Sequence, residues 1–166
     1  PYPPSFQAGH APASIAARLA AVEHVSSTVV RTRLETAAPL DFLPGQYANL
    51  AVPGAGVSRA YSFANLPGRS LLEFFHKLVP DGAMSSYLAQ RATVGDTLAL
   101  TPPSGHFYLR ENGRPLLLIA GGTGLAPFLS MLGHLARAPR AAPPIRLLVG
   151  ANAAAEFFAQ EQLAEL

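Results

Sequence analysis

Three short stretches of the sequence carry residue types that can grip an anion or cover a flat heterocycle. The first is Gly121-Gly122-Thr123-Gly124, set between an apolar run and a stretch of helical periodicity. Glycines let the backbone approach a diphosphate closely, and a helix start behind them offers unpaired N–H groups and the positive end of the helix dipole. Glycine after a buried strand is also how an ordinary strand-to-helix turn is made, and no Gly-Lys-Ser/Thr follows, so the loop is not a P-loop. The second is Arg59-Ala60-Tyr61-Ser62. On a strand, period two sends Arg59 and Tyr61 to one face and Ala60 and Ser62 to the other. A guanidinium can clamp a diphosphate and a phenol ring can cover a heterocycle, whereas a solvated strand face with one arginine is the plainer reading of the same four residues. The third is Gly82-Ala83-Met84-Ser85-Ser86, which opens a helical pattern. There the amides of Met84, Ser85 and Ser86 are placed to face an anion, with the serine hydroxyls as further donors, although a plain N-cap accounts for one serine equally well.

Other chemistries find no support. His10, His24, His76, His106 and His134 are scattered without the spacing or carboxylate partners of a metal site, and read as structural or surface residues. No Gly-x-Ser-x-Gly elbow is present, and no carboxylate pair stands out for glycosidase-type work. With Cys 0 there is no disulfide, no thiolate metal site and no cysteine-bound iron–sulfur cluster in this sequence, so redox chemistry needs another carrier. The formal charge is only +2 and the 12 basic residues, of which Lys77 is the sole lysine, are dispersed singly, so no nucleic-acid stripe is read. Mean hydropathy is +0.23, yet the longest purely apolar run, from Leu116 to Ala120, is far short of the ~20 residues of a membrane helix. The positive value therefore means buried strands, and no membrane partner is expected.

The elements that must position these groups follow from pattern. At 166 residues and 49% hydrophobic, the chain is long enough for one large or two small cores. Residues 1–14 are proline-rich and aperiodic and read as a linker or disordered lead-in, not a signal peptide. Residues 15–112 alternate short strands with turn residues: strands are expected over 18–25, 28–35, 46–52, 58–64, 71–79 and 96–101. Strands at this spacing predict a small antiparallel barrel. One helix over 83–91 interrupts them, with Met84, Tyr87 and Leu88 at i, i+3 and i+4. From residue 113 the pattern changes to strand (115–120), glycine loop, helix (125–137), strand (145–149) and helix (153–166), one βαβ unit and the start of another. A Rossmann-like nucleotide-binding half wants more strands, so the sequence reads as a fragment with roughly 60 to 90 residues of that half outside it.

The order of these signals is more specific than any one of them. Phe42-Leu43-Pro44-Gly45-Gln46-Tyr47, Arg59-Ala60-Tyr61-Ser62-Phe63-Ala64-Asn65, Gly82-Ala83-Met84-Ser85 and Gly121-Gly122-Thr123-Gly124-Leu125-Ala126-Pro127 together resemble the ferredoxin–NADP reductase superfamily. Within it, the first arginine motif, Met84-Ser85-Ser86-Tyr87-Leu88 and the glycine loop are similar to the reductase components of bacterial benzoate-type, aromatic-ring dioxygenases. The resemblance covers about residues 15–166. It implies a six-stranded antiparallel Greek-key FAD-binding barrel followed by an incomplete Rossmann-like NAD-binding domain. On that resemblance, Arg59, with Ala60 beside it, holds the FAD diphosphate, Tyr61 lies against the flavin and Ser62 sits near its N5. The backbone of Phe75, His76 and Lys77 lines the cofactor, Gly82, Met84, Ser85 and Ser86 lie under the diphosphate, and Gly121, Gly122, Thr123 and Gly124 take the nicotinamide nucleotide, Thr123 nearest the reacting ring.

The implied activity is hydride transfer from NADH to FAD and onward single-electron transfer to an iron–sulfur acceptor, in a cytoplasmic bacterial system with a [2Fe-2S] ferredoxin domain or protein and an oxygenase as partners and no metal in this chain. Glu156, with no arginine nearby for a 2′-phosphate, favours NADH over NADPH. The family's Cys-Gly-Pro-Pro segment, its terminal aromatic and the cysteine-rich ferredoxin domain do not occur in this sequence, which puts nucleotide turnover by this stretch alone in question. Two other readings stay open: an FAD-holding relay or docking module that does not turn over, and a structural barrel with an ordinary glycine turn.

Overall fold

The computed structural model of the chain describes residues 14–139 and 141–166. The lead-in expected over residues 1–14 lies outside them, Ser14 excepted. Six strands, β1 (Ile15–His24), β2 (Val29–Leu40), β3 (Tyr47–Ala51), β4 (Ser58–Ser62), β5 (Arg69–Lys77) and β6 (Thr97–Leu100), pair antiparallel in the order β4-β3-β6-β1-β2-β5. This non-sequential order is the antiparallel barrel that the strand spacing predicts, with the Greek-key connection that the resemblance implies, built as one sheet curled on itself. At its two edges β4 and β5 approach each other: the Ala64 amide donates to the Glu73 carbonyl at 2.9 Å, and Phe63 meets Phe74 at 5.2 Å between ring centroids. Alternation decides what fills the barrel. Ala17 and Leu19, Val30 and Leu34, Ala48 and Leu50, Leu72 and Phe74, and Leu98 and Leu100 are all buried in one cluster.

The helix α1 (Ala83–Gln90) closes the barrel by burying Met84, Tyr87 and Leu88, the three apolar residues whose spacing marks it in the sequence. Its end is pinned by the Tyr87 hydroxyl, which donates to Asp96 Oδ2 at 2.7 Å in the turn before β6. Burial, and then the bond to Asp96, push the Tyr87 hydroxyl well above the usual phenol range. The Thr93 amide and the same Tyr87 bond hold the Asp96 carboxyl low.

Past residue 113, β7 (Leu116–Gly121) and β8 (Ile145–Gly150) run parallel, in register from Leu116 opposite Ile145 to Gly121 opposite Gly150. The glycine loop between them winds into a 3-10 turn, Gly122–Leu125, and leads directly into α2 (Ala126–Arg137). Phe128, Leu129 and Met131 of α2 pack over Leu118 and Ala120 in a second core, so strand, glycine turn, helix and strand stand as expected. The opposite face of this pair leaves Leu117, Ile119 and Leu148 exposed.

One element departs from its sequence pattern. The helix expected over 153–166 breaks into a 3-10 turn, Ala154–Glu156, an extended step at Phe157, a left-handed Ala159 (φ +60°) and a short helix α3 (Gln160–Ala164). The cause is Phe158, buried in the second core with its ring 4.7 Å from Phe75. Burying a phenyl side chain is worth ~1.5–3 kcal/mol, more than a few residues of helix propensity at tenths of a kcal/mol each.

The turn entering β3 shows how closely the two cores are fitted. Gly45 has φ +109°, and a Cβ there would lie 2.4 Å from Met131 Cε, 2.6 Å from the Phe107 carbonyl oxygen and 3.0 Å from Tyr108 Cα. The methionine could yield, but the backbone atoms and the dihedral cannot. Gly45→Ala is therefore expected to cost ~3 kcal/mol or more in urea unfolding; a loss below ~1 kcal/mol would show that this turn is not fixed by close packing.

Candidate functional site

On β4 the register settles which way the arginine motif faces. Arg59 lies opposite Leu50 and Tyr61 opposite Ala48, both partners being buried barrel residues, while Ala60 and Ser62 lie opposite Asn49 and Tyr47. Arg59 and Tyr61 thus share a face, as period two requires. Arg59 is exposed and its guanidinium donates to the carbonyl of its own neighbour Ser58 at 2.9 Å, which leaves most of its donors directed outward. Tyr61 is half-buried against the barrel core; burial raises its hydroxyl above the usual range and the Arg59 charge opposes that shift.

Behind Tyr61 stands His76. Its imidazole is 2% exposed, its ring centroid is 4.2 Å from that of Tyr61, and its Nε2 is 2.8 Å from Thr32 Oγ1. Its neighbours on β5 diverge. Phe75 turns its ring into the second core, so only its backbone is available to a ligand, and Lys77 is exposed.

At the start of α1 there is no side-chain cap and no acidic residue in the first turn. Asp81 adopts a left-handed conformation (φ +55°) just ahead of it, and Gly82 sits so tightly that a Cβ would lie 2.6 Å from Val79 Cγ2 and 3.0 Å from Ser85 Oγ. The sequence places the amides of Met84, Ser85 and Ser86 toward an anion, and here the structure corrects it. The Ser86 amide donates to the Gly82 carbonyl at 2.8 Å, because the fourth helical N–H is the first with an intrahelical acceptor. Met84 contributes only its amide, its side chain being buried in the barrel, and Ser85 Oγ accepts from the Val79 amide at 2.9 Å.

The second group of expected residues meets at the C-terminal ends of the parallel strands. Gly121, Gly122 and Thr123 at the tip of β7, Gly150, Ala151 and Asn152 at the tip of β8, Glu156, and Lys77 from the barrel line one cleft of about 430 Å³. Crevices of open α/β sheets bind ligands at this end of the strands. Gly122 has φ +50°, and a Cβ on Gly121, Gly122 or Gly124 would meet nothing within 4 Å, so none of these glycines serves close packing, and Gly121 and Gly122 leave backbone open toward the cleft. From the stretch 150–156 the sequence reading took only Glu156, for nucleotide preference; Gly150, Ala151 and Asn152 line the cleft as well, and their position at the tip of the second parallel strand was the available signal. Of the histidines other than His76, His134 pairs with Glu111 at 3.1 Å, His24 and His106 are exposed, and His10 lies outside the described residues. Among the described residues no three His, Cys, Asp or Glu side chains cluster as a metal site would need.

A curled antiparallel barrel joined to a parallel βαβ unit with a glycine-rich turn is the arrangement that the resemblance implies for the flavin- and nicotinamide-dependent oxidoreductase class. The sequence comparisons specify it further. Residues 16–108 match the oxidoreductase FAD-binding domain family and residues 118–166 the oxidoreductase NAD-binding domain family. The chain belongs to this ferredoxin reductase family of FAD- and NAD-binding oxidoreductases. It is 47% identical over 143 residues to the 2-halobenzoate 1,2-dioxygenase electron transfer component of Burkholderia cepacia, covering 85% of this chain and 42% of that protein. It is 46% identical over 153 residues to the anthranilate 1,2-dioxygenase electron transfer component of Acinetobacter baylyi, covering 90% of this chain and 44% of that protein. Among solved structures, an Amycolatopsis cytochrome P450 reductase superposes with a TM-score of 0.85 at 34% identity, over 96% of this chain and 49% of that one. The chain spans under half the length of these two curated relatives.

The residues present fit both cofactors: outward guanidinium donors and first-turn amides suit a diphosphate, and the open glycines at the strand tips suit a second nucleotide.

The buried histidine gives this region a pH signature. Burial holds His76 far below the usual imidazole value of 6.5, at about 3, so it is neutral in the fold. The unfolded chain takes up a proton as pH falls through 6.5 while the fold does not until about 3, so the stability associated with neutral His76 is complete above 6.5 and declines below it. Between pH 6.5 and about 4.5 the unfolding free energy is expected to drop by ~2 kcal/mol more in the native chain than in a His76→Leu variant. Parallel urea midpoints for the two across this range would contradict a neutral buried imidazole.

Proposed function

We propose that the protein containing this chain passes electrons from NADH through FAD to an iron–sulfur acceptor serving an oxygenase. What carries the reading is the meeting of Lys77, from the barrel strand that follows Tyr61's neighbour His76, with the glycine turn of the parallel unit in one cleft, which sets a flavin-type barrel beside a nucleotide loop. The relatives add support, since those named above are electron transfer components of dioxygenases. We assign the barrel to residues 15–112 and the nucleotide-binding unit to 113–166. A [2Fe-2S] ferredoxin domain or protein and an oxygenase are the proposed partners, in the bacterial cytoplasm; among the described residues no helix is long and apolar enough to cross a membrane.

When bound, FAD supplies a two-electron acceptor that takes hydride from a reduced nicotinamide and releases electrons singly, chemistry that needs no protein acid or base. The chain's own task is to hold and orient. Arg59 and the free amides at the start of α1 bind the diphosphate, their charge and dipole acting together. Tyr61 covers the flavin with the exposed part of its ring, and Ser62, on the opposite side of β4, offers a hydroxyl hydrogen bond near the reacting nitrogen. Gly121, Gly122 and Gly124 let the nucleotide approach, and Thr123 orients the nicotinamide. Glu156 in the cleft wall disfavours a 2′-phosphate by charge, which selects NADH.

The full-length protein containing this chain, loaded with FAD, should show flavin bands at about 380 and 450 nm that bleach on anaerobic addition of NADH. A yellow protein that NADH leaves unchanged would favour the relay reading, and no uptake of FAD would overturn the proposal. Ser62→Ala should slow flavin reduction in rapid mixing more than it weakens FAD binding; equal rates would remove Ser62 from its role. Glu156→Arg should move the NADPH-to-NADH ratio of kcat/KM up by roughly tenfold in the full-length protein, and an unchanged ratio would place specificity elsewhere.

A further inference from the structure

Of the groups the proposed function leaves unused, His76 is the most constrained. It follows Phe74 at the end of β5, one of the few polar side chains buried among the mostly apolar residues of the barrel, and it is 2% exposed. Thr32, itself buried, anchors Nε2 from β2, whereas Nδ1 is buried with no hydrogen-bond partner. Leaving a buried ring nitrogen unpaired costs ~1–3 kcal/mol, so an aliphatic residue would serve the core better. Of the two tautomers, the one with Nε2–H donating to Thr32 Oγ1 leaves a bare acceptor at Nδ1, which is tolerated better than a bare donor. The imidazole is then fixed in rotation by Thr32, and the ring it presents is tilted 59° to Tyr61 at 4.2 Å. β5 and β4 are opposite edges of the curled sheet, so this ring contact bridges a seam that has no strand ladder, beside the single Ala64 amide to Glu73 carbonyl bond just past β4.

We propose that His76 is a positioning residue for Tyr61: held by Thr32, its ring is the rigid support that sets the plane of the tyrosine at the barrel seam. This rests on the reading that Tyr61 covers the flavin. The polar anchor explains why a histidine stands where a leucine would pack at less cost. Leucine has no planar face and nothing to bond to Thr32, so it would leave the Tyr61 ring free to rock. Glutamine keeps a donor at about the reach of Nε2 and restores the anchor, and Thr32→Val removes the anchor while keeping the imidazole.

The test uses His76→Leu, His76→Gln and Thr32→Val in the full chain, with two readouts. In the cofactor-free chain, NMR of ring-labelled tyrosine reports Tyr61 directly. Slow ring flips are expected in the native chain and in His76→Gln, with flips at least tenfold faster in His76→Leu and an intermediate rate in Thr32→Val. In the FAD-loaded chain, His76→Leu should raise flavin fluorescence at least threefold, as a loosely held tyrosine quenches less, with FAD affinity changed less than threefold. Tyr61 dynamics unchanged in His76→Leu would overturn the positioning role, as would a His76→Gln no better than His76→Leu. Altered ring flips with unchanged flavin fluorescence would instead refute the placement of Tyr61 on the flavin, so the two failures are separable. Circular dichroism confirms that each variant is folded; if His76→Leu does not fold, Thr32→Val decides by the same two readouts.

Discussion

The structure depends on one strand being buried on both faces. Along β5, Leu72 and Phe74 point into the barrel while Glu73 and Phe75 point the other way, and every one of them is buried. Phe75 packs on Phe158 and shares one cluster with Val29, Ala64 and Leu125, so the second core is built on the outer wall of the first. Glu73, buried at 9% exposure, accepts from Arg33 Nε and from Gln162 Nε2, each at 3.3 Å, and so ties α3 to the barrel. Arg31 and Arg33 also pair with Glu23, whose carboxyl the Arg31 hydrogen bond holds below the usual range. Because the same strand ends at Lys77 in the nucleotide cleft, what fixes the two cores together also fixes the cleft relative to Tyr61.

The site groups are held by features that cost stability locally. A left-handed Asp81, a Gly82 with no room for a methyl group and a helix start without a cap all fall within a few residues of one another. Each is a departure from what stability alone would select, and the surrounding packing of Met84, Tyr87 and Leu88 holds them in place. The same holds for the glycine turn after β7, which is open toward the cleft while Leu125 and Ala126 immediately behind it are buried.

Much of this was legible in the sequence, because it depends on local periodicity. Alternation in 28–35 and 71–79 gives strands with defined inner and outer faces, and the spacing of Met84, Tyr87 and Leu88 gives a helix with one buried side. The glycine turn follows from an apolar run meeting a helical pattern, and the order of motifs marks the family. What was misread required partners distant in sequence. Phe158 breaks the expected last helix because Phe75, far earlier in the chain, is where its ring can be buried. Ser86 was expected to offer its amide, yet its place in the helix commits that amide to Gly82, a distinction of a single residue at a boundary that pattern does not resolve.

The sequence by itself determined most of the element types, the inward faces of the strands and which residues are candidates for gripping an anion, since these follow from side-chain period, glycine freedom and donor chemistry over a few adjacent positions. Only the tertiary structure decided that Lys77 joins the glycine turn in one cleft and that His76 stands behind Tyr61 with Thr32 at its back. It also decided that β5 serves two cores at once. These are contacts across a curled sheet and between units, set by how the strands close on one another, and no local pattern encodes which edges meet.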